Sequence, residues 1–271
     1  MNQQQWTPVS EVSATALQRV TRVNIALVLV PTVLAFVVGV IVGQPFLLGV
    51  VVLLGATVWI NVVNRSIESS LLDRLNVTPV SEFEHARLIN VVDGLCVVSG
   101  DRRPPLFVVS DPYPVALAIS APKHQGVVVV SDGLLAEMDR VEIEAVMAHV
   151  LWRMRNGNVA LTSYLIALRA SLAKVGLGRV ADAIIGKLYE DKILLWADIS
   201  ACQATRYPPA LISALQKCNR THSLAIDPYL GPLLFVDPKT CSHDTNGDSS
   251  FPIVGFSAIG VEERIAVLKE I

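Results

Sequence analysis

Charge is what this chain has least of. Of its 271 residues only 17% are Asp, Glu, Lys or Arg, against roughly 25% in an ordinary soluble domain. The two signs nearly cancel, with 22 basic and 24 acidic side chains, so no basic field gathers a polyanion and nucleic acid is not expected as a partner. Cysteine is also scarce. Cys96, Cys202, Cys218 and Cys241 are widely separated and form no C-x-x-C pair, which gives no support to a zinc ribbon, a redox motif or a disulfide framework. No internal repeat and no low-complexity tract is present.

What is abundant is apolar surface, at 52% of the residues with a mean hydropathy of +0.51. It is concentrated. Between Arg22 and Arg65 there is no charged residue. One membrane span needs about 20 apolar residues, and this run is about twice that, divided near its middle by Gly43, Gln44 and Pro45. The expectation is two transmembrane helices, 24–43 and 46–63, within a hairpin over 23–64, with Pro31 as a tolerable kink. The run is too long for a signal peptide and lacks a small-residue cleavage site. Arg19 and Arg22 flank one end, Arg65 and Arg74 the other, and the turn is uncharged. The positive-inside rule then places 1–22 and 65–271 in the cytoplasm and the protein in the plasma or inner membrane.

The remaining 200 or so residues suffice for one domain with a real core. Residues 66–76 continue the second span as helix. Over 81–98 an amphipathic helix is predicted, with Phe83, Leu88, Val91, Val92 and Leu95 inward. Leu106–Val109, Val115–Ile119 and Val127–Val130 read as strands of a small sheet of three or four strands. Asp139 and Glu142 form a capping-box start for a helix that ends at Asn156-Gly157, with Val141, Ala145, Val146, Ala148 and Leu151 as core positions. Residues 159–205 are mostly helical with a break near Gly176 and Gly178. The 159–177 part reads as an amphipathic helix packed on the domain or the membrane surface, a third span being the alternative. Pro208-Pro209 opens another helix, 237–252 is loop-like, and 261–271 is a final helix. The fold class is α+β: a transmembrane hairpin followed by a mainly helical domain with a small antiparallel or mixed sheet.

The chemistry turns on EAVMAHVLWRMRNGN (144–158). An H-E-x-x-H site holds zinc with two histidines one helical turn apart and activates water with the intervening Glu. Here His149 is followed by Val150 where that Glu would stand and by Arg153 where the second His would stand. PPLFVVSDPYPVALAIS (104–120), VVVVSDGLLAEMDRVEIEAVMAHV (127–150), Asn156-Gly157, WADISACQAT (196–205) and VEERIAVLKEI (261–271) nonetheless resemble the corresponding segments of the HtpX-like membrane zinc metallopeptidases, a group that includes the CAAX prenyl proteases. The two leading spans fit as well, and the likeness covers most of 66–271.

The resemblance implies a metallopeptidase-like fold, and it locates the departures. The family's third zinc ligand, a Glu four residues before Asp198, maps onto Leu194. A further His maps onto Ala258, and the Asn of the edge segment onto Val115. Of the zinc and catalytic set only His149 remains. Catalytic zinc takes three protein ligands, a guanidinium has no lone pair to donate, and Val150 cannot accept a proton. No cofactor is therefore expected, and zinc belongs only to an alternative reading with a rebuilt site. Substitute ligands are thinly spread: His85, His124, His222, His243, Cys202 and Cys241, with a Cys241-Ser-His243-Asp244 cluster in the loop-like segment. Asp198 is expected to cap a helix or to pair with Arg153 and fill the metal pocket. Trp152 and Trp196 are expected to be packing residues.

The residues lining the vestigial site are thus His149, Val150, Arg153, Leu194 and Asp198. The edge strand Val115, Ala116, Leu117, Ala118 and Ile119 could still pair with an extended peptide. The expected function is that of a membrane-anchored pseudopeptidase, a binding, regulatory or accessory subunit whose partners are the bilayer and other membrane proteins. An active zinc endopeptidase with a peptide substrate is the alternative, and a purely structural subunit with a filled cleft is a third possibility.

Overall fold

A computed structural model describes residues 9–122, 124–189, 192–219, 228–236 and 259–271. The chain opens with two long helices, α1 (Val9–Val42) and α2 (Pro45–Leu72). Gly43 takes a positive φ of 81° in the turn between them, and Pro45 starts α2 where its missing N–H costs nothing. Both helices are long and apolar enough to cross a membrane. Their apolar side chains, Leu29, Val37, Leu47 and Val51 among them, face outward rather than into a core. A soluble core helix would bury that face, whereas a lipid-facing one has no reason to. Beyond the apolar stretch α2 continues unbroken, so that Ile67 and Leu71 enter the core of the following domain.

The domain holds a four-stranded mixed sheet of β1 (Thr78–Pro79), β2 (Leu106–Val109), β3 (Ala116–Ile119) and β4 (Val127–Ser131), in the order β1-β2-β4-β3. β2 and β4 run parallel, with Leu106 opposite Val128, and β3 pairs antiparallel with β4. β4 is central and buried at every position, which is why it reads as an unbroken valine run rather than as an alternation.

Helices α3 (Ala86–Ser99), α4 (Asp132–Glu137), α5 (Arg140–Arg155), α6 (Asn158–Lys174), α7 (Gly178–Leu188), α8 (Ile193–Thr205), α9 (Pro208–Asn219) and α10 (Val261–Leu268) complete the domain with a 3-10 helix at Pro228–Leu233. α5 begins with the capping box expected from the sequence, Asp139 accepting from the Glu142 N–H and Glu142 accepting from the Asp139 N–H, both at 2.9 Å. The Glu142 carboxylate also meets Lys217 and Ser213 of α9, tying the two helices together. α6 lies between the hairpin and the sheet. Most of its side chains are buried, and among the described residues only α1 and α2 qualify as spans.

Two core assignments fail. Phe83 is 97% exposed, because 81–85 is a turn, closed by the Ser81 N–H on His85 Nδ1, and α3 starts only at Ala86. Val141 is exposed on the first turn of α5. The loop-like 237–252 lies outside the described residues.

Two turns interlock beside the sheet. Ser131 caps α4 by accepting from the Leu134 N–H, accepts from the Val115 N–H, and donates to the Tyr113 carbonyl. Gly133 N–H bonds the Asp111 carbonyl at 2.9 Å, and a Cβ at Gly133 would stand 2.2 Å from the Pro112 oxygen. Gly133→Ala is expected to destabilise the domain by about 1–3 kcal/mol through overpacking against rigid backbone. Urea unfolding of the detergent-solubilised protein checks this, and an unchanged midpoint would contradict it.

Candidate functional site

α5 carries His149, Val150 and Arg153, and α8, packed across it, carries Leu194 and Asp198. All five are buried. His149 Nδ1 lies 2.8 Å from Asp198 Oδ1. Nε2 of the same ring is buried without a hydrogen-bond partner among the described residues, and the Phe235 ring stands against it edge to face at 5.0 Å between centroids. An imidazolium needs an acceptor for each N–H. With one acceptor present, the neutral ring donating from Nδ1 is the form the site supports. Burial accordingly pushes the His149 pKa down to about 4, against the pull of the Asp198 carboxylate, with the Arg264 and Arg153 cations adding to the effect of burial.

Asp198 does not pair with Arg153 and does not cap a helix. Its partner is Arg264 of α10, which sequence reasoning did not single out. Arg264 Nε meets Oδ2 at 2.6 Å and Nη2 meets Oδ1 at 2.7 Å, a bidentate fork. Arg264 Nη1 donates to the Phe235 carbonyl at 2.8 Å, and the guanidinium sits 5.2 Å from the Phe235 ring centroid. Burial alone would raise the Asp198 pKa, but the charge and hydrogen bonds of Arg264, with those of His149, bring it down to about 2.

Arg153 turns instead into the end of the 3-10 helix. Its Nη2 donates to the Pro232 carbonyl at 2.8 Å, Nη1 to those of Leu234 at 3.0 Å and Leu233 at 3.4 Å, and Nε to Asn158 Oδ1 at 3.2 Å. The last carbonyls of a helix lack internal partners and carry partial negative charge, so a guanidinium fork satisfies two of them, Pro232 and Leu233, together with the Leu234 carbonyl that follows. This holds residues 232–235 against α5.

The same segment reaches the sheet. Leu234 bridges Leu117 in antiparallel fashion, and the Phe235 N–H bonds the Ala116 carbonyl at 2.8 Å. The outer edge of β3 is therefore met by the chain itself. Val115 lies before the strand, where it exchanges bonds with Ser131, and Ala116, Leu117, Ala118 and Ile119 are all buried. A peptide pairing at Ala116–Leu117 would have to displace 234–235.

The donor set does not fit catalytic zinc. His149 offers one nitrogen, Arg153 has no lone pair and is committed to carbonyls, and Leu194 has no donor atom. Among the described residues no group of three His, Cys, Asp or Glu side chains is placed to hold a metal. His85 sits at the start of α3 and His124 is exposed after β3. Cys202 is buried on α8, its thiol pushed up to about 11 by burial and by the Asp198 charge. His222, Cys241, His243, Asp244 and Ala258 lie outside the described residues. Trp152 lines a groove between α3, α5 and α8, while Trp196, expected to pack, is half exposed.

Comparison with known proteins agrees with this arrangement of segments. The family model described as Peptidase family M48 matches residues 82–180. Similar proteins include a protease HtpX homolog of Listeria monocytogenes, 31% identical over 228 residues that cover 67% of this chain and 74% of the relative. Protease HtpX homologs of Dictyoglomus thermophilum, 28% identical over 64% of this chain and 68% of the relative, and of Dictyoglomus turgidum, 27% identical over 73% and 74%, are similar too. No solved structure matches. With its two apolar leading helices, its small mixed sheet and this similarity over most of its length, the chain belongs to the HtpX-like family of membrane metallopeptidases.

Proposed function

We propose that this chain is a catalytically inactive member of its family, a membrane-anchored pseudopeptidase acting as a binding or accessory subunit among other membrane proteins. The observation that carries the reading is Arg153: a permanently charged guanidinium stands one helical turn after His149 and is hydrogen-bonded to three backbone carbonyls. A rotamer change cannot convert it into a ligand, and ionising a water between His149 and Val150 would need a base that neither supplies. The buried, packed state of Leu194 and Val150 supports the same reading. The flanking arginines support a cytoplasmic domain on a two-span anchor.

Elemental analysis of the protein purified from membranes in mild detergent tests the proposal. Zinc well below one equivalent is expected, together with no chelator-sensitive hydrolysis of an unfolded protein substrate. One equivalent of zinc in the unaltered chain would overturn it. The triple variant Val150→Glu, Arg153→His, Leu194→Glu is expected to acquire about one equivalent of zinc, since three ligands then converge. Failure to do so in a folded variant would contradict the assignment of these positions. Affinity capture from the same membranes identifies the partner, and recovery of the chain alone would count against the accessory-subunit role.

A further inference from the structure

The domain presents an exposed aromatic knob and an apolar groove along one and the same helix, α3. The knob is Phe83, 97% exposed and flanked by the exposed carboxylates of Glu82 and Glu84. A hydrogen-bonded turn holds it out. His85 N–H donates to the Ser81 carbonyl at 3.0 Å, Ser81 N–H donates to His85 Nδ1 at 3.3 Å, and Arg87 donates to the Leu135 carbonyl. The groove lies between α3, α5 and α8 and encloses about 210 Å³. Gly94, Leu95, Val98, Ala148, Leu151 and Trp152 supply its apolar walls. An apolar cavity of about 150 Å³ takes up benzene, so the groove has room for one phenyl ring. Gly94 makes a notch in the α3 wall, since a Cβ there would meet nothing within 4 Å among the described residues.

Within one copy the knob cannot fill the groove, because the intervening helix holds Phe83 and Gly94 about 16 Å apart at 1.5 Å per residue. Two copies can fill each other. In an antiparallel pairing of α3 about a two-fold axis near its middle, each Phe83 reaches the Gly94 notch of the other copy, and both grooves are occupied at once. Such a contact closes on itself and does not propagate. It also covers Val97 and Val98, 82% and 85% exposed on the same helix, a cluster rather than a scatter of single apolar side chains. The charges suit this pairing. Arg140 and Arg155, the first and last residues of α5, both line the groove. Arg155 is paired with Asp101 at 3.6 Å, while Arg140 has no ion-pair partner among the described residues. Glu144 is the groove's other carboxylate. The acidic flanks of an inserted Phe83 therefore face guanidinium groups at the ends of α5. The two-span anchor confines both copies to one bilayer, which raises their local concentration and lets a compact interface suffice.

We propose that the groove between α3, α5 and α8 is the docking site for a second copy of this chain, whose Phe83 inserts at Gly94 and Trp152. Two measurements on the full chain test it. In the first, two differently tagged copies, one Phe83→Cys and one Gly94→Cys, are expressed together and their membranes are treated with a short bis-maleimide. A cross-linked product carrying both tags is expected, and none for Phe83→Cys with Val175→Cys. Unaltered copies serve as the blank for the native thiols. In the second, native mass spectrometry of the chain released from mild detergent reads the monomer–dimer balance. Phe83→Ser is expected to weaken the dimer about thirtyfold or more, the effect of truncating a buried aromatic at an interface. Gly94→Leu should abolish it by filling the notch, although leucine is the better helix former. Glu82→Lys/Glu84→Lys should weaken it too, and Arg140→Glu added to that variant should recover part of the loss. A monomer with no cross-link in membranes would overturn the proposal, as would a dimer indifferent to Phe83→Ser or to Gly94→Leu. Cross-linking of Phe83→Cys to a different protein and not to Gly94→Cys would overturn a second copy as the occupant. The positions substituted in the second measurement are all exposed, so these variants are expected to fold, and far-ultraviolet circular dichroism checks that they do.

Discussion

Asp198→Ala is expected to destabilise the domain by about 3–5 kcal/mol, the cost of removing one partner from a buried charge pair. Both carboxylate oxygens are in use, Oδ2 on Arg264 Nε and Oδ1 on Arg264 Nη2 and His149 Nδ1. Each of the three residues is at most 1% exposed. Without the carboxylate, the Arg264 cation keeps, among the described residues, the Phe235 carbonyl and ring, and His149 loses the acceptor of its N–H. Most of the penalty is the stranded cation rather than the lost contact. The double variant Asp198→Ala/Arg264→Met should therefore be more stable than Asp198→Ala alone, since it removes the charge together with its partner. Urea unfolding in mild detergent measures the cycle. A loss below about 1 kcal/mol for Asp198→Ala would place the pair outside the stabilising core.

The same cluster fixes the acid response. His149 is neutral in the folded chain, with its pKa pushed down by burial to about 4, whereas an unfolded histidine titrates near 6.5. As pH falls through that window the unfolded chain takes up a proton that the folded chain refuses. Stability then declines by about 3 kcal/mol between the two values and no further below them. Asp198 acts lower down. Its folded pKa of about 2 lies below the unfolded 3.8, so its contribution is complete above 3.8 and is lost as pH falls toward 2. His149→Gln, which keeps a donor for Asp198, should abolish the upper limb of the acid profile and leave the lower one.

How far this cluster could be read in the sequence depends on the range of each interaction. The capping box of α5 is local, and Asp139 and Glu142 announce it. The strands are carried by β-branched runs, and β2 has the bounds expected from them. His149 and Asp198 were named as site residues from the likeness to a family motif, but their mutual contact spans 49 residues and the Arg264 contact 66, distances that no local pattern encodes. Arg264 did leave a trace. It shares a face with Val261 and Leu268, all three buried on α10, so a charge sat at an i+3 position of an apolar stripe, where a buried partner is required. Phe83 and Val141 failed in the opposite sense. Their spacing suits a helix face, but the turn at 81–85 and the bare first turn of α5 give that face nothing to pack on. The carbonyls that receive Arg153 belong to the end of a 3-10 helix with two prolines and to Leu234 just after it, and backbone acceptors have no signature in side-chain chemistry.

Arg153→Ala is expected to be the most disruptive change on the other side of the site, and its effect should be local before it is global. The variant leaves the carbonyls of Pro232, Leu233 and Leu234 and the side chain of Asn158 without the donors they have now. Each buried acceptor left unmade costs about 1–3 kcal/mol, so a loss of about 3 kcal/mol or more follows, in part regained if the segment lifts into water. Lifting has a specific signature. The Phe235 amide, now bonded to Ala116, should exchange its hydrogen faster, and the Ala116–Leu117 edge of β3 should open with it. Arg153→Lys keeps the cation but not the fork, so it should fall between wild type and Arg153→Ala. Hydrogen exchange read by mass spectrometry checks the order. Uniform acceleration across β2 and β4 would mean global destabilisation, and unchanged exchange at 232–236 would mean that Arg153 does not hold the segment. If the edge opens, an extended peptide gains access to backbone groups that the chain now occupies itself. The Arg153 guanidinium thus fastens the chain's own 232–235 segment across the edge of β3.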